Sequence, residues 1–168
     1  MRRVLLLAAV ILSALLLQTT VFAEINLLGA KPELMYLLTI SLGLLEGPAS
    51  GAITGFAGGM AQDFLLDSPK GITALTLTLL GYAVGMVRQF IATPSPLVPV
   101  LLVAAGTFAG VVFHGVVSFL LGQLDTPWLY LFRVSLLTAV YNAILTPLVF
   151  PLLRRACEGS RSRRLARW

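Results

Sequence analysis

Apolar segments follow one another along almost the whole chain, separated only by short breaks rich in glycine and proline. Most of these segments have about the 20 residues that an α-helix needs to cross a bilayer. The composition agrees, because 58% of the 168 residues are hydrophobic, only 11% are charged, and the mean hydropathy is +0.93. A water-soluble single domain could not bury so much apolar surface. The sequence therefore predicts an all-α integral membrane protein with almost no extramembrane domain.

The breaks divide the chain into six predicted transmembrane helices and a basic tail. The helices are expected at residues 4–23, 32–46, 49–66, 69–91, 97–121 and 128–153, and the tail at residues 154–168. Three helices are expected to begin at or just after a proline: Pro32, Ser68-Pro69 and Thr126-Pro127, the hydroxyl residue being the cap in the last two. Gly47-Pro48 is expected to form the turn before the third helix. Pro147 should kink the last helix. The predicted architecture is a six-helix transmembrane bundle.

Two of the predicted spans leave alternatives open. The second has fifteen residues, which rise about 22 Å against a hydrocarbon core of about 30 Å. It must be short with local thinning, extend into Gly29-Ala30, or re-enter on the same side. The first follows Arg2-Arg3 and could be a signal peptide cleaved after Ala23, but a retained helix is favoured because the rest of the chain is all spans.

The distribution of charge predicts the orientation. With six spans, nine arginines fall on one side: Arg2, Arg3, Arg88, Arg154, Arg155, Arg161, Arg163, Arg164 and Arg167. The other side has only Lys31, Lys70 and Arg133, together with most of the acidic residues. Cytoplasmic loops carry the excess of Lys and Arg, so both termini should be cytoplasmic. The net charge of +5 then reflects orientation and contact with lipid headgroups, and no nucleic acid partner is expected.

A row of glycines precedes two acidic residues at the same four-residue interval. Glycine stands at 47, 51, 55 and 59, and aspartate at 63 and 67. We call Gly51, Gly55 and Gly59 the glycine ridge. Small residues at this spacing let two helix backbones approach closely in a membrane. The ridge should pack against another helix of the same chain, and a partner or ligand surface is the alternative.

The acidic pair has a functional and a structural interpretation. A carboxylate in a membrane bundle is costly, so Asp63 and Asp67 could bind a cation or a partner. Alternatively, Asp67 supports the turn into the next helix, and Asp63 pairs with Lys70 or with a backbone donor. No third ligand stands at metal spacing, so no metal site is predicted.

Two further polar residues lie within predicted spans. His114 could serve a proton path, although a hydrogen-bonded bundle histidine is favoured because no carboxylate is near it in sequence. Asn142 is expected to hydrogen-bond across helices. The chain has no nucleophile elbow, no phosphate-binding loop and no Cys/His cluster, so neither an enzymatic activity nor a cofactor is predicted.

The order of several short motifs resembles that of a known family. Pro32-Glu33-Leu34 is followed by Gly51, Gly55-Phe56, Gly58-Gly59 and Asp63, and then by Asp67, Gly71, Ala74-Leu75 and Gly81-Tyr82. This pattern resembles the MreD family of rod-shape-determining membrane proteins. The length, the six-helix layout and the basic tail are similar to those of the family as well.

The resemblance implies a function and a set of partners. It implies a non-enzymatic scaffold in the bacterial inner membrane that helps organise peptidoglycan synthesis during elongation. The implied partners are the single-span protein MreC, the RodA glycosyltransferase with its penicillin-binding transpeptidase, and MreB filaments. The family is also similar in fold to the S components of energy-coupling-factor (ECF) vitamin transporters, so a solute-binding S component is the rival function. Candidate partner or pocket residues are Gly51, Gly55, Phe56, Gly59, Asp63, Asp67, Tyr82, His114 and Asn142.

Overall fold

The computed structural model describes residues 2–20, 31–65, 71–91, 97–122 and 127–165, with side chains described from residue 7 to residue 157. The described residues form six α-helices and one short 3₁₀ helix, Arg88–Phe90, and contain no strand. The α-helices are α1 Arg2–Thr20, α2 Leu34–Glu46, α3 Pro48–Leu65, α4 Ile72–Val87, α5 Leu97–Leu120 and α6 Trp128–Leu165. The all-helical prediction is confirmed.

Two of these helices are long and apolar enough to cross a membrane. They are Leu97–Leu120 and Trp128–Cys157. Leu7–Thr20 and Leu34–Glu46 are apolar but shorter. The length and composition of the described helices therefore identify two candidate spans.

The shortest helix, α2, lies at the centre of the fold. All ten residues from Leu34 to Gly43 are buried, and α2 contacts α1, α3, α4, α5 and α6. Its side chains Leu37 and Ile40 are inaccessible and belong to the main apolar core, to which α1 contributes Leu15. Because other helices surround α2, its surface has little contact with lipid, and its length does not need to match the thickness of the bilayer.

Two predicted helix starts were wrong. Residues 31–33 are not helical, so α2 begins at Leu34 and neither starts at Pro32 nor extends back into Gly29-Ala30. The fourth helix was expected at residue 69, but Gly71 adopts φ 108°, which no helix allows, and α4 begins at Ile72. Ser68 and Pro69 lie outside the described residues.

Two predicted helix ends also differ. Helix α4 ends at Val87, and the following residues tighten into the 3₁₀ helix instead of continuing to residue 91. Helix α6 does not stop near Leu153 but continues to Leu165. The continuation has a physical reason, because the tail has no proline and is rich in arginine, a good helix former.

The turn between α2 and α3 agrees with its prediction. Gly47 ends α2 with φ 103°, and its N–H donates a hydrogen bond to the Gly43 carbonyl. Pro48 then occupies the first position of α3, where a missing N–H costs nothing. This tight turn sets α2 and α3 side by side and antiparallel.

Candidate functional site

The glycine ridge on α3 packs directly against the backbone of α4. A Cβ atom added at Gly55 would overlap the Leu77 carbonyl, and one added at Gly51 would lie 2.8 Å from the carbonyl carbon of Gly81. At Gly59 it would lie 2.9 Å from the carbonyl carbon of Thr73. Real Cβ atoms do not approach other atoms so closely, so no side chain fits at these positions. The ridge therefore faces α4 of the same chain, which is the packing that the sequence favoured.

Asp63 joins the end of α3 to the beginning of α4. Its Oδ2 accepts hydrogen bonds from the Gly71 N–H at 2.8 Å and the Ala74 N–H at 3.2 Å, and the side chain is fully buried. Gly71 is the N-cap residue of α4 and has no side chain to cap the helix. The Asp63 carboxylate takes over that role and places its charge at the positive end of the helix dipole. The expected backbone donor is therefore present, whereas Lys70 and Asp67 lie outside the described residues.

Asp63 also belongs to a polar cluster, which we define by electrostatic interaction as Glu33, Tyr36, Asp63 and His114. Tyr36 and Asp63 are buried, and Glu33 and His114 are half-buried. The charge of Asp63 is close enough to interact with both Tyr36 and His114, and Glu33 interacts with Tyr36. Asp63 Oδ1 and His114 Nδ1 are buried and have no hydrogen-bond partner among the described residues. His114 is thus near a carboxylate in space although none is near it in sequence.

Asn142 on α6 connects α5 with the residue that precedes α2. Its Nδ2 donates to the Glu33 carbonyl oxygen at 3.0 Å and to Thr107 Oγ1 at 3.2 Å. Asn142 is fully buried on α6, Thr107 is buried on α5, and Glu33 immediately precedes α2. The expected cross-helix hydrogen bonds of Asn142 are therefore present.

Glu33 is the member of the cluster whose pKa is shifted to near neutral. It is half-buried just before α2, and burial raises the pKa of its carboxyl from 4.5 to about 7. Sequence reasoning assigned no role to Glu33 or to Tyr36. The signal that could have found them is their position at the start of a short apolar helix, Glu33 just before it and Tyr36 in its first turn.

Phe56 on α3 and Tyr82 on α4 are not members of the cluster, and both side chains are exposed. Their exposed fractions are 56% and 51%. Ile53 on α3 and Leu79 on α4 are exposed to a similar degree. We call these four residues the outer face of the hairpin. These side chains are open to lipid or to another protein.

The hydrogen bonds of the buried polar side chains connect separate parts of the fold. No group of three His, Cys, Asp or Glu residues among the described side chains could hold a metal ion. The polar contacts instead cap α4 and connect α2, α5 and α6, inside a shell of apolar helices. Together with the two candidate spans, this arrangement is typical of helical membrane proteins.

The family follows from comparison with known proteins. The family model described as rod shape-determining protein MreD matches residues 1–156, and the chain belongs to this family. Its role is accordingly in the determination of rod shape, as a component of the shape machinery. Neither a curated protein nor a solved structure gives a significant match.

Proposed function

We propose that this protein is a non-enzymatic scaffold with six membrane spans that binds an MreC-like single-span protein and helps to organise peptidoglycan synthesis during elongation. The observation that carries the proposal is the family match over residues 1–156, which includes every described helix up to the arginine-rich end of α6. The RodA glycosyltransferase, its penicillin-binding transpeptidase and MreB filaments are further proposed partners. Contacts with the last of these could run through the MreC-like protein.

The outer face of the hairpin is the proposed contact surface for the single-span partner. Two features support it. The glycine ridge fixes α3 and α4 at backbone contact, so the outer face has a rigid shape. Phe56 and Tyr82 give this face two aromatic side chains, and aromatic residues are enriched at the centres of protein interfaces.

Co-purification tests this contact. The variant with Phe56→Ala and Tyr82→Ala should remain folded, because both side chains project from the surface, and should lose the MreC-like partner from a pull-down of the native membrane. The matched control replaces two equally exposed side chains of α6, Leu136→Ala and Leu148→Ala. Normal recovery of the partner with the aromatic variant would exclude the outer face as its binding surface.

In the proposed topology, the protein crosses the inner membrane several times and both of its termini are cytoplasmic. Arginine asymmetry supports it. In a chain whose native Cys157 has been replaced by serine, a cysteine introduced at Gly29 or at Asp125 should react in intact cells with an impermeant thiol reagent. Cys157 of the native chain should react only after the cells are opened. Labelling of Cys157 from outside would reverse the orientation.

A second candidate function is the binding of a small solute, as in an S component. It is favoured by Asp63 Oδ1, Gln62 Oε1 and His114 Nδ1, which are buried and have no hydrogen-bond partner in the described part of the chain. A ligand that binds the folded state raises its melting temperature by mass action. A library of vitamin-sized compounds should therefore contain one that stabilises the purified chain but not the Asp63→Asn variant. No such compound is expected if the chain is a scaffold only.

A further inference from the structure

Helix α6 continues well past the part of the chain that a bilayer can enclose. It has 38 residues, which correspond to about 57 Å, whereas the hydrocarbon core is about 30 Å thick. Its apolar part, from Trp128 to Leu153, rises about 39 Å and crosses the core with some tilt. Arg154 and Arg155 follow at once and are exposed, so they mark the edge of the membrane.

The remaining turns of α6 stay close to that edge. From Arg154 to Arg164 the helix rises about 15 Å, and less than that along the membrane normal if it keeps its tilt. The headgroup layer occupies roughly the first 5 to 8 Å. The last turns therefore end within about 10 Å of the headgroups, which is close to the Debye length at physiological ionic strength.

The charge of this segment is strongly positive. It carries five arginines and one acidic residue between positions 154 and 165: Arg154, Arg155, Arg161, Arg163, Arg164 and Glu158. Arginine pairs well with phosphate because its planar guanidinium donates two parallel hydrogen bonds. The family match ends at residue 156, so Arg161, Arg163 and Arg164 lie outside the matched range.

We propose that the arginine segment of α6, residues 154–165, binds the phosphate headgroups of anionic phospholipids. Positive charge next to a membrane span attracts such lipids, and the unbroken helix holds the arginines at headgroup height instead of letting them diffuse away. The binding would fix the depth and tilt of α6. The proposal rests on α6 being a span, which is part of the proposed function, but it does not depend on any protein partner.

Binding of fluorescent phosphatidylglycerol to the purified full chain in neutral detergent tests the proposal. The substitutions Arg161→Gln, Arg163→Gln and Arg164→Gln together should weaken binding by about 100-fold, or about fivefold for each arginine. Phosphatidylcholine should bind weakly and equally to both proteins. The matched control removes three arginines elsewhere, with Arg2→Gln, Arg3→Gln and Arg133→Gln, and should keep most of the affinity.

Three outcomes would overturn the proposal. The triple variant could bind phosphatidylglycerol as tightly as the wild type, or the control could lose as much affinity as the triple variant. Inorganic phosphate could also displace the lipid far more effectively than chloride at the same ionic strength, which would indicate a site for free phosphate and not for a lipid. Unchanged thermal unfolding and gel filtration of the triple variant would show that any loss of binding is local. Loss of partner pull-down alone would concern the scaffold function and leave the lipid proposal unchanged.

Discussion

Asp63 on α3 accepts a hydrogen bond from the backbone N–H of Gly71, eight residues further along the chain, at 2.8 Å. The same oxygen also accepts from Ala74 in the first turn of α4. The carboxylate therefore closes the α3–α4 hairpin at the end opposite Gly47 and Pro48. The hairpin is held along its length by glycine contacts and at this end by a charge.

Removing the Asp63 carboxylate should destabilise the protein. Asp63→Ala leaves the N–H groups of Gly71 and Ala74 without this acceptor and should lower the free energy of unfolding by about 2 kcal/mol, the upper range for a lost helix cap. Asp63→Asn keeps one acceptor oxygen and loses only the charge, so it should cost less. Thermal unfolding in detergent measures both. Equal stability of Asp63→Ala and the wild type would remove the capping role.

A single methyl group on the glycine ridge should separate α3 from α4. Gly55→Ala places a Cβ against the rigid backbone of Leu77, and overpacking of this kind costs about 1–3 kcal/mol. Gly58→Ala is the matched control on the same helix, because its Cβ would meet only the movable Met35 Sδ at 3.0 Å. Thermal unfolding should therefore show a large loss for Gly55→Ala and a small one for Gly58→Ala. Similar losses for both would indicate that helix propensity and not the close contact sets the cost.

The hydrogen bond between Asn142 and Thr107 should be measurable as a coupling energy. Asn142→Ala, Thr107→Val and the double variant form a double-mutant cycle. Hydrogen bonds between membrane helices give on average about 0.6 kcal/mol and at most about 1.7 kcal/mol in such cycles. We expect a value in this range because both side chains are inaccessible. Additive effects of the two substitutions would show that the contact contributes nothing to stability.

Stability should decrease as pH rises from about 4.5 to about 7. The pKa of Glu33 is raised by burial from 4.5 to about 7, so in this interval the unfolded chain ionises while the folded chain resists ionisation. The unfolded state is then favoured progressively, and the effect reaches a plateau above about pH 7. Glu33→Gln should flatten the dependence of melting temperature on pH, whereas Glu158→Gln should not. A variant Glu33→Gln with the same slope as the wild type would assign the titration to another group.

The sequence predicted the parts of the fold that depend on local chemistry. Proline and glycine located the turn at Gly47-Pro48 and the start of α6 after Pro127, because these residues act through their own backbone angles. The start of α4 could not be predicted in this way. It depends on Gly71 and on a cap from Asp63, which reaches it only once the hairpin has formed.

In the candidate site, too, the sequence predicted what a single residue determines and not what the packing of helices determines. Asn142 was expected to bond across helices, since a buried amide must find partners, but neither Thr107 nor the Glu33 carbonyl could be named from the sequence. The orientation of the glycine ridge towards α4 likewise depends on how the helices cross. His114 on α5 interacts with Asp63 on α3, and this interaction cannot be predicted from their spacing along the chain.

The central position of α2 has a consequence for the way the chain is made. Helix α2 is synthesised second, yet it is enclosed by α3, α4, α5 and α6, all of which leave the ribosome later. The Asn142 amide that holds the Glu33 carbonyl is 109 residues downstream. In a nascent chain, α2 is therefore not fully packed until α6, the last helix, is in place. Truncation before Asn142 should expose α2 to the proteases that remove incomplete membrane proteins.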